Sequence, residues 1–227
     1  MVRVGIIGFG LRGKMYLETL NQNVDAQCIA VADTVEANLQ IARESYGVQA
    51  FADFREMIDN CSLNAVIIAT PDFLHRDAVV YAANSKLSIL VEKPFSTDGK
   101  ECDEMIEAIE RNGVRCMVAF ENRWNLPIVA MKNQIATGEL GDILTINARL
   151  NNKIANPTQK LAWSKGSSVG WFLFPHILDM ILWYNGGKRV KQLYAVGVKK
   201  KLVSMGFDIY DSLQAVLTFE DDTTATL

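Results

Sequence analysis

The sequence predicts an α/β protein in two parts: a doubly wound parallel sheet, followed by an α+β domain with a mostly antiparallel open sheet. Two observations predict the first part. Short apolar runs alternate with segments of helical periodicity up to about residue 119, and a glycine-rich turn follows the first run. The second part is predicted because helical segments past residue 120 are followed by a series of strand-like segments. We therefore place the domains at residues 1–121 and 122–227.

The composition is typical of a soluble globular chain. Of 227 residues, 49% are apolar, and 23 Lys plus Arg stand against 26 Asp plus Glu, which gives a net charge of -3. This balance argues against disorder and against nucleic-acid binding through bulk charge. No apolar stretch reaches the roughly 18 residues that span a bilayer, and the N-terminus does not resemble an export signal. We expect a cytoplasmic protein with no nucleic-acid or membrane partner.

Five apolar runs predict the strands of the parallel sheet. Continuous Val, Ile and Ala runs of this length suit strands that are buried on both faces. The runs lie at residues 2–8, 26–32, 65–69, 88–91 and 115–119. Apolar residues at helical spacing from Cys102 to Ile109 predict a helix before the last run, with Thr97 as its N-cap and Gly113 as its stop.

The second domain is predicted to begin with a helix from Pro127 to Thr137 and a strand at residues 143–150. A second helix at residues 171–184 is apolar on nearly every side and ends at Gly186. Three strand-like segments follow, at residues 190–198, 211–219 and 223–227. Helices followed by a run of strands indicate an α+β domain.

Cysteine and histidine usage limits the possible chemistry. The four cysteines are widely scattered, so a metal site or a disulfide framework is not expected, and we interpret them as free thiols. Only two histidines are present, His75 and His176. Any chemistry that depends on histidine must use one of them.

A glycine-rich motif, G-x-G-x-x-G, lies between the first strand and the first helix. Gly8 allows a tight turn, Gly10 lets the backbone approach a pyrophosphate, and Gly13 allows close packing of helix and strand. The helix N-terminus offers N–H groups and a positive dipole end to the phosphates. The motif therefore predicts a Rossmann domain whose phosphate-binding residues are Gly8, Gly10, Leu11, Arg12 and Gly13.

An acid at the end of the second strand indicates which dinucleotide binds. Asp33 follows the glycine motif by about 20 residues, where the fingerprint requires an acid to accept hydrogen bonds from the adenosine ribose. Its charge would repel a 2'-phosphate, so we expect NAD, with NADP less favoured. The alternative is that the glycines form an ordinary tight turn and that Asp33 caps the next helix.

Four further motifs occur in order along the chain: Ala69-Thr70-Pro71-Asp72-Phe73-Leu74-His75, Val91-Glu92-Lys93-Pro94, Asn122-Arg123-Trp124 and Gly138-Glu139-Leu140-Gly141. With these motifs and the glycine turn, the chain resembles the Gfo/Idh/MocA family, which includes glucose-fructose oxidoreductase and inositol dehydrogenase. The resemblance extends over essentially all 227 residues.

The resemblance implies a two-domain NAD-dependent oxidoreductase that acts on a sugar, inositol or related polyol. Lys93 would lie beside the nicotinamide and exchange a proton with the reacting alcohol, and Pro94 would follow a cis bond. Without the motif, a lysine on the domain surface is the simpler interpretation, and His75 alone resembles a surface residue at a helix N-terminus. The residues that the resemblance assigns to the cofactor are Thr70, Pro71, His75, Glu92, Lys93 and Asn122.

The chain departs from the family at its second signature, D-x-G-x-H-x-x-D. His176 and Asp179 match, but Phe172 occupies the position of the first acid and Phe174 that of the glycine. His176 and Asp179 are three residues apart and share a helix face, so both are catalytic candidates, with Asp179 binding a hydroxyl. Alternatively, His176 is a core histidine that pairs with Asp179. The substitution indicates either a more apolar substrate pocket or the loss of acid/base groups.

Three functions remain open. The first is an NAD-dependent dehydrogenase that transfers a hydride between a secondary alcohol and the nicotinamide; the second is a redox-neutral NAD-dependent sugar hydrolase or epimerase. The third is a non-catalytic NAD(P)-binding sugar sensor. The resemblance also implies a homodimer or homotetramer formed through the C-terminal sheet. Because the last residues resemble a strand with no closing turn, we expect the second domain to be incomplete.

Overall fold

The computed structural model describes all residues from 1 to 227. The chain divides into two compact units, Met1–Ala119 and Phe120–Leu227. None of its helices is long and apolar enough to cross a membrane.

The first unit contains a six-stranded sheet in which every pairing is parallel and the order is β3-β2-β1-β4-β5-β6. Its strands are β1 Val2–Ile7, β2 Ala26–Ala32, β3 Gln49–Phe51, β4 Ala65–Ile68, β5 Ser88–Glu92 and β6 Cys116–Ala119. The strand order reverses between β1 and β4, which is the point where doubly wound sheets bind ligands. The five predicted strands are confirmed, whereas the three-residue β3 was too short to stand out as an apolar run.

Five helices belong to this unit: α1 Leu11–Leu20, α2 Glu36–Tyr46, α3 Phe54–Asn60, α4 His75–Asn84 and α5 Gly99–Asn112. The prediction that Thr97 caps α5 is wrong. Asp98 is the N-cap, because its carboxylate accepts the backbone N–H groups of Lys100 and Glu101 at 2.8 and 3.1 Å. The predicted stop is confirmed, since Gly113 ends α5 in the left-handed conformation.

The sheet is buried on both faces, as the continuous apolar runs predicted. One core cluster contains side chains of α3, α4 and α5, and the other contains side chains of α1 and α2. Neighbouring residues of β1 enter different clusters: Ile6 packs with Leu17 of α1, and Ile7 packs with Met57 of α3. This alternation follows from the two-residue period of a strand.

All four cysteines are free thiols, as predicted. Burial raises the pKa of Cys28 to about 12 and that of Cys116 to about 11. At neutral pH these two thiols are protonated, so they are packing residues and not nucleophiles.

The second unit contains a four-stranded sheet in the order β7-β10-β9-β8. Its strands are β7 Thr145–Asn147, β8 Val190–Val198, β9 Ser212–Phe219 and β10 Thr224–Thr226, and its helices are α6 Leu126–Thr137, α7 Val169–Phe172, α8 Phe174–Tyr184 and α9 Lys201–Ser204. Two of the three pairings are antiparallel, which confirms the mostly antiparallel sheet. Ile181 of α8 packs in one cluster with Leu217, Phe219 and Ala225 of the sheet.

Two predicted elements of this unit differ from the structure. The helix expected at residues 171–184 is interrupted at Leu173. Pro175 explains the break, because proline has no N–H and its ring clashes with the carbonyl four residues earlier, whereas the first turn of a new helix tolerates it. The strand expected at residues 143–150 is reduced to Thr145–Asn147, since its pairing partner β10 is itself only three residues long.

Candidate active site

The glycine turn after β1 leaves no room for side chains at two of its three glycines. Gly8 has a φ of +88°, and a Cβ atom there would lie 2.7 Å from the backbone of Ala69 and Thr70. A Cβ atom on Gly13 would lie 2.1 Å from the carbonyl oxygen of Gly8. The positive φ of Gly8 fits the tight turn that the motif predicted, and the missing side chain also lets the turn approach the end of β4. Gly13 allows α1 to pack closely against the turn, as the motif predicted.

The space at Gly10 is open. No heavy atom lies within 4 Å of the position that a Cβ would occupy, and Gly10 is the N-cap of α1 with no side-chain hydrogen bond. Leu11, the first residue of the helix, is 71% exposed. An open backbone surface at a helix N-terminus fits a pyrophosphate, because N–H groups and the positive end of the helix dipole face the same point.

Asp33 lies directly beside this turn. Its Oδ2 accepts the backbone N–H of Phe9 at 2.7 Å and the side-chain amide of Asn38 at 3.2 Å, and its Oδ1 accepts the N–H of Val35 at 2.8 Å. Asn38 is held in turn by Lys14, whose Nζ donates to Asn38 Oδ1 at 3.2 Å. Val35, not Asp33, is the N-cap of α2, so the alternative role for Asp33 is wrong. The three bonds orient the carboxylate and leave acceptor capacity for a ribose hydroxyl.

We expect Asp33→Ser to lower the preference for NADH over NADPH by about tenfold or more. The substitution removes the negative charge that repels a 2'-phosphate, and about 1.4 kcal/mol corresponds to that factor. Fluorescence titration of both cofactors measures the ratio of dissociation constants. Asp53→Ser is the matched control, because Asp53 also accepts a backbone N–H, that of Arg55, but at α3. An unchanged ratio in Asp33→Ser would show that Asp33 does not select the cofactor.

Glu92, the last residue of β5, is 6% exposed, and its carboxylate accepts hydrogen bonds from other groups of the chain. Its Oε1 accepts hydrogen bonds from the Arg12 guanidinium and from the Tyr16 hydroxyl, each at 2.7 Å. Its Oε2 lies 3.2 Å from the backbone N–H of Lys93. Glu92 therefore links α1 to the strand end that carries Lys93; direct contact of Glu92 or Arg12 with a cofactor stays a prediction.

Lys93 follows β5 directly, and the Lys93–Pro94 peptide bond is cis, as the resemblance implied. The strands β1, β4 and β5 are parallel neighbours. Their carboxyl ends therefore bring the glycine turn, Thr70 and Lys93 to the same edge of the sheet. This edge, at the reversal of strand order, is where α/β sheets bind ligands.

His75 is 1% exposed, so the interpretation of a surface residue is wrong. Its Nδ1 lies 3.0 Å from the carbonyl oxygen of Pro94, and its Nε2 lies 3.2 Å from that of Thr70. The ring thus joins the loop after β4 to the loop after β5. Thr70 Oγ1 is buried without a hydrogen-bond partner, which leaves it available to a ligand. Cofactor contacts of Thr70, Pro71 and His75 stay predictions.

We expect the buried His75 to lower the free energy of unfolding of the protein in mild acid. Burial is the main cause that lowers the pKa of His75 below its ordinary value of 6.5, so the native state binds its proton less readily than the unfolded state. The free energy of unfolding should fall as pH decreases below about 6.5, by up to about 1.4 kcal/mol per pH unit. Urea denaturation between pH 5 and 7.5 measures the slope, which should be smaller in His75→Gln. Equal slopes would contradict the assignment.

Asp179 forms a bidentate salt bridge with Arg123 within the second unit. Arg123 donates from Nε and Nη2 to the two carboxylate oxygens at 2.8 and 2.6 Å, and the Asp179 side chain is 9% exposed. This hydrogen bonding raises the pKa of Arg123. The guanidinium also lies 5.7 Å from the ring centre of Trp183. Asp179 thus fixes the turn that contains Arg123, and its role toward a substrate hydroxyl stays a prediction.

His176 lies near the start of α8 with 14% of its side chain exposed, and its Nδ1 is 3.9 Å from Glu121 Oε2. Sequence reasoning missed Glu121; its position immediately before the Asn122-Arg123-Trp124 motif was the available signal. Asn122 lies in the same turn as Glu121, and its contact with a cofactor stays a prediction. Phe172, at the position of the family's first acid, packs edge-on against Trp163 with ring centres 6.1 Å apart.

The strand order, the glycine turn and the acid beside it together define a dinucleotide-binding Rossmann domain. Residues 2–120 match the model of the oxidoreductase family with an NAD-binding Rossmann fold, and residues 128–227 match the GFO/IDH/MocA C-terminal domain. The chain therefore belongs to the Gfo/Idh/MocA family of oxidoreductases, and its first unit is of the NAD-binding type.

Relatives of the chain include two inositol 2-dehydrogenases. The enzyme of Salmonella typhimurium is 31% identical over 163 residues, which cover 70% of this chain and 48% of the relative. The enzyme of Pseudarthrobacter chlorophenolicus is 32% identical over 188 residues, which cover 82% of this chain and 54% of the relative. The chain thus spans about half the length of these curated relatives. The crystal structure of Lactobacillus casei scyllo-inositol dehydrogenase with NAD(H) and scyllo-inositol matches all of this chain and 68% of that one, with 23% identity and a TM-score of 0.91. At that identity the similarity establishes the fold.

Proposed function

We propose that the protein to which this chain belongs is an NAD-dependent dehydrogenase that oxidises a secondary alcohol of a sugar, an inositol or a related polyol. The observation that carries the proposal is the edge of the parallel sheet, where the open backbone at Gly10, the oriented carboxylate of Asp33 and the lysine after β5 occur together. The inositol 2-dehydrogenases among the relatives support the substrate class. Cytoplasmic location and assembly through the C-terminal sheet belong to the same proposal.

The residues present fit the cofactor. The helix N-terminus and Gly10 would hold the pyrophosphate, Asp33 would accept a ribose hydroxyl, and the unpaired Thr70 hydroxyl offers a further polar contact. When bound, NAD supplies the acceptor for a hydride. Glu92 holds the backbone of Lys93 through the 3.2 Å contact, and Arg12 holds Glu92. These contacts position Lys93 without help from a ligand.

The chain's own groups handle the proton. Oxidation of a secondary alcohol removes a hydride from the carbinol carbon and a proton from the hydroxyl, and leaves a ketone. We assign the proton to Lys93 or His176, because both residue types exchange protons near neutral pH in a suitable environment. In the reverse direction the same group returns the proton to the forming alcohol.

The test is a survey of inositols, hexoses and polyols with NAD on the full-length protein, followed by the absorbance of NADH. We expect NADH formation with at least one secondary alcohol, and weaker turnover when NADP replaces NAD. Substrate consumption with no net NADH would instead indicate the redox-neutral hydrolase or epimerase. NADH binding with no turnover of any compound would indicate a sensor.

Two observations favour the sensor as the second candidate. Phe172 and Trp163 form an aromatic contact where the family pattern has an acid, and the carboxylate of Asp179 is bound by Arg123. Both features reduce the polar groups available for acid/base chemistry. Loss of one such group slows a reaction by roughly 10²- to 10⁴-fold and does not by itself abolish it. We therefore retain the dehydrogenase as the first candidate.

A further inference from the structure

Lys14, the residue after the last glycine of the turn, lies close to the carboxylate of Asp33. Its Nζ donates to Asn38 Oδ1 at 3.2 Å, and Nδ2 of the same amide donates to Asp33 Oδ2 at 3.2 Å. All three residues are half-buried. One amide group therefore separates the ammonium of Lys14 from the carboxylate that we expect to meet the adenosine ribose.

The contacts that hold the Lys14 ammonium are weak. Its hydrogen bond goes to a neutral amide, and it also lies 5.9 Å from the ring centre of the buried Phe9. That distance is close to the outer limit for a cation–π contact. Because a lysine ammonium sits on a flexible four-carbon stem, it can turn from these groups to a bound anion.

Arg12 and Glu36, at the starts of α1 and α2, are already paired. The guanidinium of Arg12 donates to Glu92 Oε1 at 2.7 Å, and Glu36 Oε1 accepts from Arg43 at 2.7 Å. Lys14 differs from these residues because its hydrogen-bond partner is uncharged. Its positive charge can therefore act on an anion that binds at this turn.

We propose that Lys14 binds the 2'-phosphate of NADP(H), so that the first unit accepts both dinucleotides and Lys14 and Asp33 together set the choice between them. The inference rests on the cofactor site of the proposed function and widens its cofactor class. Asp33 would accept the ribose hydroxyls of NAD(H) and repel a 2'-phosphate, whereas Lys14 would attract that phosphate. NADH would still bind more tightly, because the Asp33 carboxylate is already oriented while the ammonium must first leave Asn38.

The charges on the two sides of Asn38 decide how strongly NADP(H) is rejected. A carboxylate and an ammonium at similar distances from a phosphate act with opposite signs, so their effects partly cancel. Charge-assisted hydrogen bonds to phosphate are stronger than those between neutral groups, and one such bond changes a binding constant by about tenfold or more. Removal of the Lys14 ammonium should therefore lower NADPH affinity by about this factor.

A purely structural role for Lys14 predicts a different result. In that case the lysine would hold Asn38, and Asn38 would orient the Asp33 carboxylate through the 3.2 Å hydrogen bond. Loss of Lys14 would then disturb the carboxylate that accepts the ribose hydroxyls, which weakens NADH binding at least as much as NADPH binding. The dinucleotide that loses affinity thus distinguishes the two roles.

The test is fluorescence titration of NADH and NADPH on the full-length protein and on Lys14→Met, which keeps the length of the side chain and removes its charge. We expect NADPH affinity to fall about tenfold and NADH affinity to stay within about threefold. The same substitution in the Asp33→Ser background, where NADPH binds more tightly, should again lower NADPH affinity about tenfold. Lys14→Arg keeps the positive charge and should retain most of the NADPH affinity.

Lys86→Met is the matched control, because Lys86 Nζ also donates to a side-chain amide, that of Asn112, at 2.8 Å. Lys86 precedes β5, at the edge of the parallel sheet opposite to the glycine turn, so both affinities should be unchanged. Calorimetry with adenosine 2',5'-bisphosphate and with 5'-AMP isolates the 2'-phosphate, and Lys14→Met should weaken binding of the bisphosphate alone. Thermal unfolding of each variant shows that it is folded.

The inference is wrong if Lys14→Met weakens NADH binding as much as NADPH binding, or if it leaves NADPH binding unchanged in the Asp33→Ser background. These measurements require no turnover. The expected loss of NADPH affinity, without NADH formation from any alcohol, would refute the dehydrogenase and leave the role of Lys14 in place. NADH formation from an alcohol, together with unchanged NADPH binding by Lys14→Met, would refute the role of Lys14 alone. Binding of neither dinucleotide would refute both.

Discussion

Lys93→Ala is expected to reduce turnover of the oxidised alcohol by roughly 10²- to 10⁴-fold, which is the usual contribution of a general acid or base. Binding of NADH should stay within a few fold of the unmodified protein. The physical reason is that the backbone of Lys93 is held by Glu92, so removal of the side chain leaves the glycine turn and the Asp33 carboxylate unchanged. Steady-state kinetics and NADH titration measure the two effects.

Two further variants sharpen this experiment. Lys93→Arg keeps the positive charge but cannot release a proton at neutral pH, so it should be nearly as inactive as Lys93→Ala if proton transfer is the role. Recovery of activity in Lys93→Arg would indicate that charge alone is needed. Lys100→Ala, at an exposed lysine of α5, is the matched control and should be fully active. Full turnover by Lys93→Ala would show that another group handles the proton.

Gly13→Ala is expected to destabilise the first unit by several kcal/mol or prevent it from folding. The new Cβ would lie 2.1 Å from the carbonyl oxygen of Gly8, and because that atom belongs to the backbone, α1 must move away from the turn. Losses above about 4 kcal/mol are exceptional for single substitutions and are associated with strain of this kind. Thermal and urea denaturation measure the effect.

Gly10→Ala in the same turn should behave differently. No heavy atom lies within 4 Å of its Cβ position, so stability without cofactor should change by less than about 1 kcal/mol. NADH affinity should nevertheless fall at least about tenfold, because the methyl group occupies the surface that the pyrophosphate approaches. Normal NADH affinity in a folded Gly10→Ala variant would contradict the proposed position of the cofactor. Equal stability of the two variants would contradict the steric argument for Gly13.

The parallel sheet could be predicted because each of its strands is indicated by residues that are adjacent in the sequence. Runs such as 65–69 and 88–91 are apolar without interruption, and only strands covered on both faces have this pattern. The roles of Gly8 and Gly13 were also local, since a tight turn followed by a helix requires the absence of a Cβ whatever the rest of the fold does. The helix break at Leu173 also has a local signal, Pro175, but the apolar pattern continues on both sides of it and by itself predicts one uninterrupted helix.

The tertiary structure decided the partners of the charged and polar side chains. Glu92 pairs with Arg12 and Tyr16, and Asp179 pairs with Arg123, across separations of 56 to 80 residues. The burial of His75 between two loops likewise depends on the pairing of β4 with β5. The sequence alone determined the fold class, because backbone sterics and hydrophobic periodicity act between near neighbours, and its ordered motifs indicated the family. The sequence could not determine which carboxylates are hydrogen-bonded to arginine or tyrosine side chains. Those pairs depend on which distant segments the folded chain brings within 3 Å of one another.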